Sequence, residues 1–533
     1  MRLKYWQENI IRNAYCQAAL LMLICLAVFS LLHFTPYLSD PDSFYHIKIS
    51  EAMAEKGIIT EFPYLQSTIL KNNFVDHHLL YHAYLIPFIK LLQFANSGTS
   101  AAIWGSKIGH LILNCFVFLG VFIFLKKFKV KYALILSTSM LLSAPFIFRM
   151  ILIKAQPLSI LLSLFCVYCI IKKKHLLLFV ASFIYVWAYS AWFMVLLLGA
   201  LYVIANSSSA ISHQNKWLLN LKKFIQSCLS KENLKLLAVI FSGLVAGLII
   251  NPYFPKNLYF YFVHIIQIGL INDKSIRLGM EWYPFSPSEF IIACLLPFAI
   301  LILPAVFHLS YWKQMSVKSK FLLFVSLFFF IMTMRSKRHI EYFIPFSILA
   351  GGIGINDALS VKNIKADWEI IIGKMKKFLS FKFLKYTALI AFSLSIISIS
   401  FGLRAQSQIY PFFKLKNSAT YLYNNSQDDE TLLNLRWDMF PFLYYWNDKN
   451  YYATGLDPTF TYSLDKNLWK EYDKIVKGNI TSSTSAVINE KFNAQYIIAF
   501  KYNEKFLKEA GSFFEKVYED DDTFIYKIKE KYE

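Results

Sequence analysis

Long apolar runs, separated by short loops rich in lysine, constrain this chain more than any other feature. Runs of roughly 17–25 apolar residues are long enough to cross a bilayer as helix. Such runs occupy 14–34, 101–125, 132–148, 156–171, 234–251, 288–308, 319–334, 339–357 and 384–403. The run 175–205 is too long for one crossing and divides near Tyr189-Ser190 into two short ones. The reading is therefore a polytopic α-helical membrane protein of about 11 spans. Lys and Arg accumulate in cytoplasmic loops. Placing the N-terminus in the cytoplasm puts Lys126–Lys131, Lys172–Lys174 and the loops 206–233 and 358–383 on that same side. Residues 404–533 then fall outside, and the expected location is a membrane such as the bacterial inner membrane.

The net charge of +21 would suit a nucleic-acid partner, but it lies in the loops between apolar runs, where the positive-inside bias accounts for it. No nucleic acid is expected. Met1 to Arg12 carries Arg2, Lys4 and Arg12 and leads into an uncleaved span. The seven cysteines sit in spans or cytoplasmic loops, so no disulfide framework is expected. Residues 79–95 are apolar enough to span, yet a crossing there would move Lys126–Lys131 outside. They are read instead as a helix along the outer surface, interrupted by His82, Pro87 and Lys90. Residues 35–100 become one outer loop with two interfacial helices, about 44–56 and 79–95. Residues 252–287 form a second outer loop with an amphipathic aromatic helix at 257–270.

Two domains follow: 1–403 in the membrane with its two outer loops, and 404–533 as a soluble α/β domain outside. In the latter, Thr431–Leu435, Tyr496–Phe500 and Thr523–Ile528 read as strands, and Asn467–Lys477 and Asn503–Ala510 as helices.

Ionisable groups at a membrane boundary are costly unless paired or used. The outer boundary collects Asp40, Asp42, Asp76, His77, His78, Arg149, Lys154, Glu281, Arg335, Lys337 and Arg338. Asp40 and Asp42 flank Pro41, which disfavours helix at Asp40, and Asp42 or Ser43 is the expected cap of the helix that follows. Carboxylates arriving from separate loops suit Mg²⁺ or Mn²⁺, with Asp40, Asp42 and Glu281 as the ligands. A plain Asp-Pro-Asp cap is the competing reading. Asp76 with His77 serves as a further ligand, as groups orienting an acceptor, or simply as the cap of the 79–95 helix. Arg149, Lys154, Arg335 and Arg338 run against the positive-inside bias. A lipid-linked phosphate or pyrophosphate gives them a reason, since guanidinium groups fork onto phosphate oxygens. Anionic lipid headgroups give another.

This arrangement resembles the GT-C superfamily of integral-membrane glycosyltransferases, and within it the catalytic subunit of oligosaccharyltransferases. Asp40-Pro41-Asp42-Ser43-Phe44-Tyr45-His46 resembles that family's first acidic motif, and Glu281 sits where the family has a loop glutamate. Leu435-Arg436-Trp437-Asp438-Met439 resembles its Trp-Trp-Asp-Tyr-Gly signature in Trp437 and Asp438 alone. The family's further acidic motif, between its third and fourth spans, is replaced here by a turn with Arg149 and Lys154. The resemblance implies transfer of a sugar or oligosaccharide from a polyprenyl-phosphate or polyprenyl-pyrophosphate donor to a protein, glycan or lipid acceptor. It implies an inverting displacement at the anomeric carbon, with Asp42 positioning or deprotonating the acceptor. The metal and the Arg and Lys groups would steady the departing phosphate. A transporter or flippase of polar lipids, or an envelope glycan polymerase or ligase, is the alternative.

Overall fold

The computed structural model describes residues 13–95, 98, 100–210, 217–271, 276, 279–361 and 381–528. Arg2, Lys4, Arg12, Lys216, Lys362, Lys365, Lys374, Lys376 and Lys377, used above for orientation, lie outside the described residues. The chain divides into two compact units. One comprises residues 1–35, 110–247 and 279–407; the other comprises 36–109, 248–278 and 408–533.

In the first unit the apolar runs are helices. They include Ala14–His33, Gln156–Ile171, His175–Ala188, Met194–Ser207, Lys231–Ile249, Pro287–Tyr311, Val317–Arg335, Ile340–Ala358 and Phe381–Ser407. The run at 101–125 is the helix Ala101–Lys127. The run at 132–148 is broken into Ala133–Leu142 and Ala144–Ile151, bent by 82°. Ser143 and Pro145 occupy the break, and a proline in the first helical turn suits a fresh start. Against the 11 spans expected, five helices among the described residues are long and apolar enough to cross, or six with the bent pair. Helices such as His175–Ala188, at 14 residues, fall short of the roughly 20 that a straight crossing needs.

Helix packing in this unit uses small residues. A Cβ added at Gly243 would sit 2.5 Å from the Phe179 carbonyl oxygen, and one at Gly247 would sit 2.7 Å from that of Phe183. Spaced by four on one helix face, these glycines let Lys231–Ile249 and His175–Ala188 approach closely.

The second unit is built from three distant stretches. Five strands form its sheet, in the spatial order Tyr451–Tyr452, Thr431–Asn434, Ala494–Phe500, Thr523–Ile528, Phe514–Glu519. The first three are mutually parallel, and the last two form an antiparallel hairpin on Ala494–Phe500. The strands expected at 431–435, 496–500 and 523–528 are therefore present, as are the two helices, at Lys466–Val476 and Glu504–Phe513. The sheet edge at Tyr451–Tyr452 is covered by residues 64–67: Tyr452 N–H donates to the Tyr64 carbonyl (2.8 Å), and Gln66 N–H donates back to that of Tyr452 (2.9 Å). A covered edge offers no template for another chain. A second small ladder joins Tyr37–Leu38 to Tyr410–Pro411.

The helices Asp42–Lys56 and Leu79–Ala95 pack together in this unit. Phe44 lies edge-on to Phe442 and Tyr445, and Phe62 stacks on Phe74 at 4.7 Å, so an aromatic core binds the loop helices to the C-terminal stretch. Leu79–Ala95 is 17 residues with Pro87 inside. The aromatic stretch expected as a helix at 257–270 is observed as Lys256–Tyr261 running into a π-helical Phe262–Ile271.

Candidate active site

Each unit brings some of the expected residues together. In the membrane-helix unit the centre is Arg149, on the short helix after the break. It is 6% exposed. Its Nη1 bonds the Glu281 carboxylate, and its Nε donates to Glu341 Oε2 at 3.2 Å. Its Nη2 is buried and has no hydrogen-bond partner among the described residues. The 280–289 segment is stitched to the turn before Ile340. Ser336 Oγ donates to the Glu281 carbonyl (2.8 Å), and Lys337 N–H donates to that of Tyr283 (3.0 Å). The Arg338 guanidinium stacks over Trp282 at 4.3 Å. Arg338 also hydrogen-bonds Tyr189, at the junction between two short helices. Lys154 is buried close by and acts electrostatically on Glu281. Burial alone would push the Glu281 carboxyl up, but the positive charges of Arg149, Lys154 and Arg338 hold it well below the usual carboxylate range. Four of the expected residues, Arg149, Lys154, Glu281 and Arg338, thus form one cluster. Arg335 ends the helix Val317–Arg335 beside the turn.

Glu341 was not among the residues singled out from sequence. It stands one residue into a run otherwise apolar for several turns, and a carboxylate there demands a partner. That isolation was its signal. Tyr189 had no comparable signal, because tyrosine is common throughout the chain.

In the other unit, the stretch around Asp40 is fixed by the Tyr37–Leu38 ladder and by Lys107 Nζ, which donates to the Tyr37 carbonyl at 2.6 Å. The cap differs from expectation. Asp40, not Asp42 or Ser43, closes the first turn: Ser43 N–H donates to Asp40 Oδ1 at 3.1 Å, and Ser43 Oγ donates to the same oxygen. The helix consequently begins at Asp42, and Asp42 carries its charge in the first turn, where the helix dipole favours it. Tyr410, across the small ladder, is raised by burial and then by the carboxylates of Asp438, Asp40 and Asp42, with Arg436 opposing. Those three acids therefore share one electrostatic neighbourhood. Asp438 is held by a bidentate pair with Arg436 (2.8 and 2.6 Å). Trp437, in the same turn, is half-buried.

Asp76 serves two partners. His78 N–H donates to its Oδ1 (3.0 Å), which makes it the cap of Leu79–Ala95. Its Oδ2 lies 2.7 Å from His82 Nδ1, and His82 Nε2 lies 2.7 Å from His46 Nδ1. A buried carboxylate–imidazole–imidazole chain therefore links the Leu79–Ala95 helix to the helix that starts at Asp42. His77 packs on His78, Phe260 and His264, which brings in the second loop.

The expected metal is tested by these same contacts. Asp40 spends Oδ1 on Ser43, Glu281 spends Oε2 on Arg149, and Asp76 is occupied by His78 and His82. Among the described residues no three His, Cys, Asp or Glu side chains gather so as to hold an ion.

No protein-family model and no curated protein matches the sequence. Solved structures do. The oligosaccharyltransferase of Archaeoglobus fulgidus in its apo form is 12% identical, with a TM-score of 0.61 over 97% of this chain and 75% of that one. The AglB oligosaccharyltransferase of the same organism, in complex with an inhibitory peptide and a dolichol-phosphate, gives 14%, 0.61, 96% and 74%. ArnT from Cupriavidus metallidurans, bound to undecaprenyl phosphate, gives 11%, 0.53, 95% and 97%. Likeness of this extent at such low identity is likeness of fold.

Proposed function

We propose, for a chain with the GT-C, oligosaccharyltransferase-like fold, that it moves a sugar or oligosaccharide from a polyprenyl-phosphate or polyprenyl-pyrophosphate donor to an acceptor at the outer face of a bacterial inner membrane. One observation carries the reading: a cluster of Arg149, Arg338 and Lys154 around Glu281 and Glu341, at the ends of apolar helices. The cluster holds three cations to two carboxyl groups, and a phosphate whose lipid tail lies in the bilayer is an anion suited to that excess. The solved neighbours were captured with a dolichol-phosphate and with undecaprenyl phosphate, which supports that class of ligand. In this reading Arg149 and Arg338 receive the phosphate and stabilise it as it leaves. Asp42, at the start of its helix, positions the acceptor or takes its proton. The acceptor attacks the anomeric carbon from the face opposite the phosphate, and the configuration there inverts.

Purified protein in lipid nanodiscs, given a panel of polyprenyl-linked sugars, is expected to release the polyprenyl phosphate or pyrophosphate and to glycosylate an acceptor. Asp42→Ala should lose transfer while keeping expression and donor binding, whereas Arg338→Ala should weaken donor binding. Movement of intact lipid-linked sugar across vesicles, with no bond cleaved, would instead establish the transporter reading.

A further inference from the structure

Arg149 is held between two carboxylates that differ in one respect. The Glu341 side chain is 1% exposed and lies in a helix; that of Glu281 is 27% exposed and lies in a short turn. One partner is fixed in the interior and the other stands at a surface. The backbone around Glu281 is docked independently of its carboxylate, through Ser336 Oγ, Lys337 N–H and the Arg338–Trp282 stack. The carboxylate can therefore leave Arg149 without the turn coming away.

The charges point the same way. Arg149, Lys154 and Arg338 act on Glu281, and the acids among them are Glu281 and Glu341, so three basic groups face two carboxyl groups. The buried Arg149 Nη2 has no hydrogen-bond partner among the described residues, and such a group carries a standing desolvation cost. Glu281 reaches Nη1 alone, so an anion seated squarely on the fork would engage both Nη1 and Nη2. A phosphate has the oxygens to do so while the other Arg149 nitrogen, Nε, stays on Glu341.

We propose that Glu281 is a placeholder for the donor's phosphate: it occupies Arg149 when the site is empty and is displaced when the phosphate arrives, while Glu341 keeps the guanidinium in position. The inference rests on the donor reading above and deepens it. Donor arrival then frees a carboxylate on the 280–282 turn, so Glu281 is available for its own role only when a donor is present. The cation that serves Glu281 in the empty site is a guanidinium of the chain itself.

The test measures undecaprenyl phosphate binding to the full-length protein in neutral-lipid nanodiscs. Removing the competitor with Glu281→Gln should tighten binding by roughly tenfold, equivalent to about 1.4 kcal/mol. Glu281→Asp should bind as wild type does. Arg149→Gln should weaken binding in both the wild-type and the Glu281→Gln backgrounds. Binding by wild type that is unchanged or weaker in Glu281→Gln, with both proteins melting normally, overturns the placeholder alone. No saturable binding by either protein overturns the donor reading as well. Phosphatidylglycerol and inorganic phosphate are the comparison ligands. Competition by either at the concentration at which undecaprenyl phosphate binds would show a general headgroup or phosphate site, and would overturn the donor assignment.

Discussion

A single guanidinium, that of Arg149, stands at the centre of the charged cluster in the membrane-helix unit, and Glu341 is its buried partner. Deleting one partner of a buried ion pair leaves an uncompensated charge, which costs about 3–5 kcal/mol. Glu341→Gln is therefore expected to lower the protein's thermal stability markedly, while Glu281→Gln, at the surface end of the same cluster, lowers it little. Denaturation monitored in nanodiscs or detergent compares them directly. The sequence identified Arg149, Lys154, Glu281 and Arg338 because charged groups stand out at the ends of apolar runs. It also carried the Asp40 cap, since a serine three residues after an aspartate is a turn signature, but the proline drew the reading to Asp42. Pairing was not legible: nothing in a linear chain says that Arg149 bonds Glu281 and Glu341, which stand 132 and 192 residues away.

At the scale of elements, apolar length located the helices well, because burial in lipid or protein demands the same run of residues. It failed for short helices such as Phe440–Trp446, whose FPFLYYW sequence is buried nearly all round and shows no period. The strand Phe514–Glu519 was missed as well. It is a sheet edge with three of six positions charged, and its pairing partner supplies what its composition does not. The Asp42–Lys56 and Leu79–Ala95 helices are tied by the Asp76–His82–His46 chain, with His78 beside it. Burial, followed by the proximity of His77, His46, His82 and His264, pushes His78 well below the usual histidine range. Tyr45 and Tyr81 also face this cluster. The folded state therefore resists a proton that the unfolded chain binds near pH 6.5, and stability is lost as pH falls through that value. The expected result is a melting temperature that declines from pH 7.5 towards pH 5.5. His78→Gln should reduce the slope; an unchanged slope would remove His78 from the account.

At the scale of the molecule, the Lys bias predicts that the residues after the last apolar helix face outward. Asp428 offers a site to check this, since its side chain is 87% exposed. Asp428→Cys, in a chain with Cys16 and Cys228 changed to serine, should react with an impermeant thiol reagent in intact cells. Reaction only after lysis would reverse the orientation.

The way the second unit is pieced together also governs how the protein is made. Its strand edge is closed by residues 64–67, and its small ladder joins residue 37 to residue 411. About 300 residues separate the end of the first stretch from the start of the last. At a synthesis rate of roughly 5–20 residues per second, the early segment waits on the order of 15–60 seconds for its partner. Throughout that interval Phe44 and Phe62 lack the rings they pack against at 440–445. The nascent chain thus carries an unburied aromatic surface until translation is nearly complete, and the cell must shield it or lose the protein to aggregation.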